Sequence, residues 1–470
     1  MNQKPLYFPP RPRRRWPAWA ALWVLVCLPS PAAGLELEKV VPLRLQAGNR
    51  AVTVDFKNFS LLERYGETPA AAGWLFLVAS TQWENVLPLK LGVENQKLAV
   101  GYKIPNLADH IYLVLDGQYL VRLTKDAAAL PGHLPAKDFY LPALGDTATG
   151  NLVFEAPRQL AIDAKALELR YYDMTHGHFQ APFAGQPAEA AQPSGPPAQN
   201  EVLELATFGI ERSPALGGQA AGPGMAFITV NLRARSLFTA EADASAFNPD
   251  AEPGSRMRMG TVADWKESRR YLQLVVDGEL GFAPFAASTL AEEPRFLPDV
   301  FTGGDVVFLA PEKAMSLELR CDFPNARSSI DGKEFRPQGL TLPLEGRRPP
   351  LAAPKPIIEP IADDPFQVTV SGLRAAPAEA GAAERLVLLE VIALNNGKRG
   401  EFLQTPEQLQ LVLASGRQVV LDPALAPERP ALPLLWVPAG ERRSFTAGYR
   451  VPAAETSLRL MYRGGSFAKA

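Results

Sequence analysis

The stretch Leu272-Gln-Leu-Val-Val-Asp277-Gly278, followed by Phe308-Leu-Ala-Pro311 and Leu317-Glu-Leu319-Arg-Cys321, decides the fold, because its three landmarks occur three times in one order. They occur earlier as Tyr112-Leu-Val-Leu115-Asp116-Gly117, Phe154-Glu-Ala-Pro157 and Leu167-Glu-Leu169-Arg-Tyr171. They return later as Leu409-Gln-Leu-Val-Leu413-Ala-Ser415-Gly416, Tyr449-Arg-Val-Pro452 and Leu458-Arg-Leu460-Met-Tyr462. Asp-Gly supplies the positive φ angles of a tight hairpin turn. Proline cannot donate to a central ladder, so it ends the strand that carries the aromatic residue. In the Leu-x-Leu segments, period-two alternation turns the leucines to one buried face and the Glu and Arg to water. Such repetition is the mark of copies of one supersecondary unit.

Each copy opens on an apolar strand: Ala51-Val-Thr-Val-Asp-Phe56, Val202-Leu-Glu-Leu-Ala206 and Phe366-Gln-Val-Thr-Val370. A longer apolar run follows, at Gly73–Val78, Gly224–Val230 and Leu386–Leu394. About seven strands per copy suit a two-sheet sandwich of the immunoglobulin kind. Size agrees, since 470 residues at roughly 150 per domain give about three units. With 47% hydrophobic and 21% charged residues the chain can build cores, and 45 prolines with 36 glycines suit short strands joined by turns. The expected fold is all-β: three tandem antiparallel immunoglobulin-like β-sandwich domains at 35–184, 201–345 and 365–470. Proline-rich linkers are expected at 185–200 and 346–364, acting as semi-rigid spacers between modules in an extended string.

The third copy, through Leu394-Asn395-Asn396-Gly397, Leu409 to Gly416, Pro438-Ala-Gly440 and the Tyr449–Pro452 close, resembles the telokin-like, immunoglobulin-fold modules of secreted bacterial antigens and lipoproteins. Asn231 matches Asn395, whereas Ser80 departs from it. The resemblance implies a sandwich fold and an exported location, and no activity.

Residues 1–34 read as a secretory signal peptide. Lys4, Arg11, Arg13, Arg14 and Arg15 precede an apolar run from Ala18 to Leu28, and small residues Ala32, Ala33 and Gly34 mark the expected cleavage. Eleven apolar residues are too few to span a bilayer core of about 30 Å. A periplasmic or secreted location follows, with membrane contact only through the uncleaved signal. Losing five positive charges takes the formal charge from −2 to about −7, which gives no electrostatic reason to bind nucleic acid. Of the two cysteines only Cys321 survives cleavage, so no intramolecular disulfide is expected.

The most suggestive polar cluster is Met174, His176 and His178, which an extended chain would place on one side and whose thioether and imidazole donors suit copper. Against it, Gly177 and the prolines beyond Phe179 read as a loose domain end. The second copy carries a long insert from Ser236 to Trp265, and Phe238, Phe247, Met257, Met259 and Trp265 within it are candidate partner-binding anchors or an edge cap. Cys321 reads as a buried thiol, because it occupies the place of Tyr171 and Tyr462. The acidic pairs Glu292-Glu293 and Asp363-Asp364 lie in proline-flanked connections and read as solvated loops. All four histidines fall in the first copy, so no serine–histidine or cysteine–histidine set can form in the other two. No catalytic residue and no cofactor is nominated. The expected function is an exported non-catalytic binding or scaffold protein with an envelope or extracellular protein partner. The rivals are a periplasmic copper-handling protein, and a carbohydrate-binding accessory protein that would need Trp74, Trp83, Trp265 or Trp436 exposed for stacking.

Overall fold

The computed structural model describes residues 37–464 apart from 88–89, 92–96, 125–129, 136, 186–191, 249, 253, 328–333 and 376–382. The expected signal peptide lies outside the described residues. Residues 34–470 form one compact unit. The chain is all-β, and the longest helix among the described residues is the six-residue Arg158–Asp163. No helix among the described residues is long and apolar enough to cross a membrane.

In the first repeat, strands β1 (Val41–Gly48), β2 (Val52–Leu62), β3 (Trp74–Asn85) and β6 (Thr147–Pro157) form one sheet in the order β1-β2-β3-β6. Strands β4 (Ile111–Leu115), β5 (Tyr119–Arg122), β7 (Leu167–Tyr171) and β8 (Phe179–Ala184) form the other, ordered β5-β4-β7-β8. Both sheets send alternate side chains into one apolar cluster: Val54, Phe56 and Leu77 from the first, Leu113, Leu115 and Leu169 from the second. Each such leucine, taken fully out of water, contributes about 1.5–3 kcal/mol before entropy is counted.

The second repeat places β9 (Ala198–Gln199), β10 (Leu203–Ser213), β11 (Met225–Ser236) and β14 (Thr302–Pro311) in one sheet. Its other strands are β12 (Leu272–Val276), β13 (Leu280–Phe282), β15 (Ser316–Cys321) and β16 (Leu340–Gly346). The third repeat comprises β17 (Ile361–Asp363), β18 (Phe366–Ala375), β19 (Glu384–Asn395) and β22 (Arg442–Pro452), with β20 (Leu409–Leu413), β21 (Gln418–Val420) and β23 (Leu458–Tyr462) in a separate sheet. Each repeat has its own large apolar cluster. Local detail repeats as well. The register of the second long strand against the third slips between Phe56 and Asn58, between Thr207 and Ile210, and between Val370 and Gly372.

The hairpin aspartates do more than turn the chain. Asp116 and Asp277 take φ near +51°, and the Oδ1 of each accepts two backbone N–H groups at 2.8 Å, from Lys165 and Ala166 and from Met315 and Ser316. Each staples its turn to the following Leu-x-Leu strand, which fixes the sheet at that corner.

The picture of modules held apart by spacers needs correction. Strands β13 and β22 pair in parallel at Leu280 and Ser444, so one eight-stranded sheet, β16-β15-β12-β13-β22-β19-β18-β17, runs through the second and third repeats. Described parts of the proline-rich stretches lie against the repeats: Ser194 N–H bonds to the Thr207 carbonyl, Ile357 N–H to that of Val370, and Arg442 to that of Ala352. Proline fixes backbone angles without choosing a direction, and backbone groups buried at a contact still seek partners.

Candidate functional site

The polar residues at the end of β7 form a closed network. Asp173 Oδ1 accepts the N–H groups of Thr175 and His176, and its Oδ2 accepts from Tyr102 at 3.0 Å and pairs with His176 Nδ1 at 3.2 Å. The hydroxyls of Tyr102 and Tyr171 meet directly. Burial pushes the Asp173 carboxyl up, but bonds from His176 and Thr175 outweigh it and bring the group to about 2. Burial raises both tyrosines, so they stay protonated donors. His178 turns away: its Nδ1 accepts the Asp173 N–H at 3.0 Å, and burial lowers its pKa, leaving it neutral. His176 and His178 are therefore engaged with Asp173 through different atoms, and Met174 sits half-buried in the turn that leads from Asp173 to His176. Among the described residues no group of three or more His, Cys, Asp or Glu is arranged to hold a metal ion.

The insert of the second repeat meets this loop. The Phe247 ring stands edge-on to His178 at 4.9 Å, and His178 is edge-on to Tyr172 at 4.9 Å on its other side. Arg50 bonds to Ser245 Oγ at 2.8 Å. Met257 and Met259 are half-buried on the insert strand Arg256–Gly260, which pairs with Thr239–Asp243. Phe238 packs on the core of the second repeat. Trp265 is 1% exposed, with Nε1 bonded to the Asp322 carbonyl at 3.1 Å, so it is a core side chain closed to any partner. The two candidate clusters thus come together at the contact between the first and second repeats.

That contact rests on residues which motif reading passed over. Arg170 on β7 pairs with Asp299 at 2.5 Å and with Glu168 at 2.7 Å, and the Tyr172 hydroxyl donates to Asp299 at 2.6 Å. Arg295 reaches back to Asp109 at 2.6 Å and to the Tyr112 hydroxyl at 3.0 Å. Arg233, stacked on Phe208, donates to Gln118 Oε1 at 2.8 Å. Beneath these polar pairs Tyr112, Val114, Tyr172 and Leu297 form a small apolar cluster.

The second contact repeats the first at equivalent positions. Gly303 N–H donates to the Gln118 carbonyl at 2.9 Å, and Ser444 N–H donates to the Glu279 carbonyl at 3.0 Å. Gln118 and Glu279 each close the same hairpin, and Gly303 and Ser444 each lie five residues before the landmark aromatic, Phe308 or Tyr449. Arg320, at the place of Arg170, pairs with Glu441, which stands just ahead of the closing strand as Asp299 does. Arg442 adds a pair to Glu279 at 2.5 Å. Arg443 is fully buried and bonds through Nη1 to Glu441 at 3.1 Å, while its Nε and Nη2 have no partner among the described residues. Burial lowers the Arg443 pKa. Burial also opposes ionisation of Glu441, but Arg320 and Arg443 outweigh it and pull that group below the usual carboxylate range.

The other nominated residues fall as follows. A groove of about 810 Å³ runs along β5 at the first contact, with Trp74, Leu120, Leu160, Leu290 and Phe296 in its lining. Trp74 is 42% exposed, whereas Trp83, Trp265 and Trp436 are buried. Cys321 is fully buried, and burial raises its thiol well above the ordinary value. Glu292 and Glu293 are exposed, and Asp363 Oδ2 accepts the Gly464 N–H at 2.7 Å.

The asparagine equivalence also changes. Asn395 is wholly buried, donates to the carbonyls of Arg399 and Val437, and accepts from Gly397 N–H. Asn85, not Ser80, does this in the first repeat, donating to the carbonyls of Val100 and Leu141 and accepting from Leu87 N–H. Asn231 instead bonds to Asp305 and Arg233 at a half-buried place. Comparison of the chain with family models, with curated proteins and with solved structures finds no match to any.

Proposed function

We propose that this chain is an exported, non-catalytic scaffold made of three tandem immunoglobulin-like β-sandwich modules, which engages a protein partner of the cell envelope or extracellular space through its loops and sheet edges. The observation that carries the reading is the recurrence of one module contact, Gly303 to Gln118 and Ser444 to Glu279 with an arginine–carboxylate pair beside each. Repeated docking of this kind holds binding surfaces at fixed spacing, which independent tethered modules do not. The ionisable groups gathered near the two contacts are engaged with one another: Asp173 with His176 and Tyr102, Glu441 with Arg320 and Arg443. None of these constellations leaves a base beside a nucleophile, which is the geometry that acid–base or covalent catalysis requires.

The test is affinity capture with the full chain from an envelope fraction, read by mass spectrometry, beside elemental analysis of the same purified protein. The reading expects a protein captured in stoichiometric amount and metal far below one equivalent. A full equivalent of copper, or capture of polysaccharide alone, would sink it in favour of the corresponding rival.

A further inference from the structure

The two internal contacts share a donor face and an acceptor face, and each is used twice. The donor face is the outer surface of the sheet that carries the hairpin. On it Val114 is 1% exposed and packs with Leu297 of the following repeat, and Val275 is 0% exposed. The acceptor face, so named because it receives the hairpin of the preceding repeat, is the outer edge of the closing strand, where the Gly303 and Ser444 N–H groups point outward and donate to the hairpin carbonyls.

The third repeat carries the same donor face with nothing described upon it. By ladder register Val412 takes the place of Val114 and Val275 and is only half-buried, and Val420 on the edge strand β21 is 57% exposed. Gly416 closes its hairpin by donating to the Leu413 carbonyl, as Gln118 and Glu279 do to theirs, yet its own carbonyl has no partner among the described residues. On this face one charge is reversed and another is lost. Arg459 stands where Glu168 and Glu318 stand, and Met461 where Arg170 and Arg320 stand.

The first repeat carries the matching acceptor face, open at Thr149. Thr149 pairs across to Gln82 as Gly303 does to Arg233 and Ser444 to Ile392, and its N–H points to the same outer side as that of Asn151; the Asn151 N–H is taken by the Gly132 carbonyl, whereas that of Thr149 has no partner among the described residues. Asp146 occupies the place of Glu441: the carbonyls of Asp146 and Glu441 accept from Asn85 and Asn395, and the preceding glycines donate back to the same asparagines. Around it Tyr140 and Leu144 are 53% and 49% exposed.

We propose that a second copy of this chain docks head to tail, the donor face of its third repeat on the acceptor face of the first, forming the internal contact a third time. The Gly416 carbonyl would receive the Thr149 N–H, Arg459 would meet Asp146, and Val412 and Val420 would be covered by Tyr140 and Leu144. Such a contact is heterologous, so it propagates into a ring or an open filament rather than stopping at a symmetric pair. It goes beyond the scaffold reading and rests on the repeated contact alone.

The test is sedimentation velocity of the full chain up to about 200 μM, in the range where contacts of a few kcal/mol become populated. The donor-face variant joins Val420→Glu to Arg459→Glu, and the acceptor-face variant joins Tyr140→Glu to Leu144→Glu, all at exposed positions. The unaltered chain is expected to form species larger than a dimer as concentration rises, and each variant alone to stay monomeric. Mixing the two variants should restore one contact and give a 1:1 dimer and nothing larger, which also shows that both are folded. Thr149→Pro, which removes the outward N–H at an edge position, should weaken assembly at least several-fold. A chain that is monomeric throughout, an assembly that either single-face variant still forms, or a mixture that stays monomeric while the unaltered chain assembles, overturns the proposal.

Discussion

Replacing Asn395 by alanine isolates the corner that sets the third repeat. The side chain is 0% exposed and makes three bonds of 2.8 Å, donating to the carbonyls of Arg399 and Val437 and accepting from Gly397. Alanine leaves two carbonyls and one N–H without that partner, and a buried polar group stripped of its bond costs about 1–3 kcal/mol. Water reaches the Arg399 side of the corner, where the neighbouring residues are partly exposed, so the three losses do not all count in full. A total of about 2–4 kcal/mol follows, and for a domain of this size each kcal/mol moves a melting midpoint by roughly 4–8 °C. Differential scanning calorimetry of the full chain should therefore show one transition shifted down by about 10 °C or more. Asn85→Ala should lower the first repeat's transition as well, by roughly 2–4 °C per kcal/mol because that repeat is larger. Asn231→Ala, at a half-buried site bonded to Asp305 and Arg233, should cost under about 1 kcal/mol. If Asn231→Ala proved as damaging as Asn395→Ala, the equivalence of Asn85 with Asn395 and the burial argument would both be refuted.

Two further outcomes follow from charge. His178 has a folded pKa below its ordinary 6.5, so its contribution to stability is complete above pH 6.5 and is lost as pH falls below it, because the unfolded chain then binds the proton more readily. Asp173, Asp299 and the Gly260 carbonyl face the ring and resist that lowering, whereas burial against Tyr172 and Phe247 drives it. Urea midpoints measured between pH 7.5 and 5.5 should fall more steeply for the native chain than for His178→Asn, and equal slopes would contradict the assignment. Arg443 and Glu441 should behave unequally. Arg443→Met removes a buried cation with two unmet donors and should cost under about 1 kcal/mol or stabilise, while Glu441→Ala strands Arg443 and Arg320 and should cost about 3 kcal/mol or more in a denaturant titration.

The all-β class was legible because alternation survives in short segments such as Leu317 to Cys321, where burial runs strictly in and out. Cys321 was legible for the same reason. The contacts between repeats were not, since an arginine on the outward side of a strand looks the same whether water or a neighbour faces it. A trace did exist: the outward Arg of the first two Leu-x-Leu strands becomes Met461 in the third, and the outward Glu becomes Arg459. Proline content hid the docking, because it describes how stiff a connection is and not where it leads. Position along the apolar run sets Ser80 and Asn231 beside Asn395, whereas the ladder pairs Val52 with Asn85 as it pairs Phe366 with Asn395. Trp265 shows the same limit within the insert, where an aromatic among small residues proved to be core.

Amide hydrogen exchange in dilute protein bears most directly on the claim that the repeats dock through one recurring contact. Gly303 and Ser444 give their N–H groups to the repeat before them, while Thr149 holds the same register with no partner among the described residues. The first two amides should exchange at least about 100-fold more slowly than the third, as closed backbone bonds do relative to open ones. Comparable fast exchange at all three would mean that the repeats move as separate beads and that the contact does not hold.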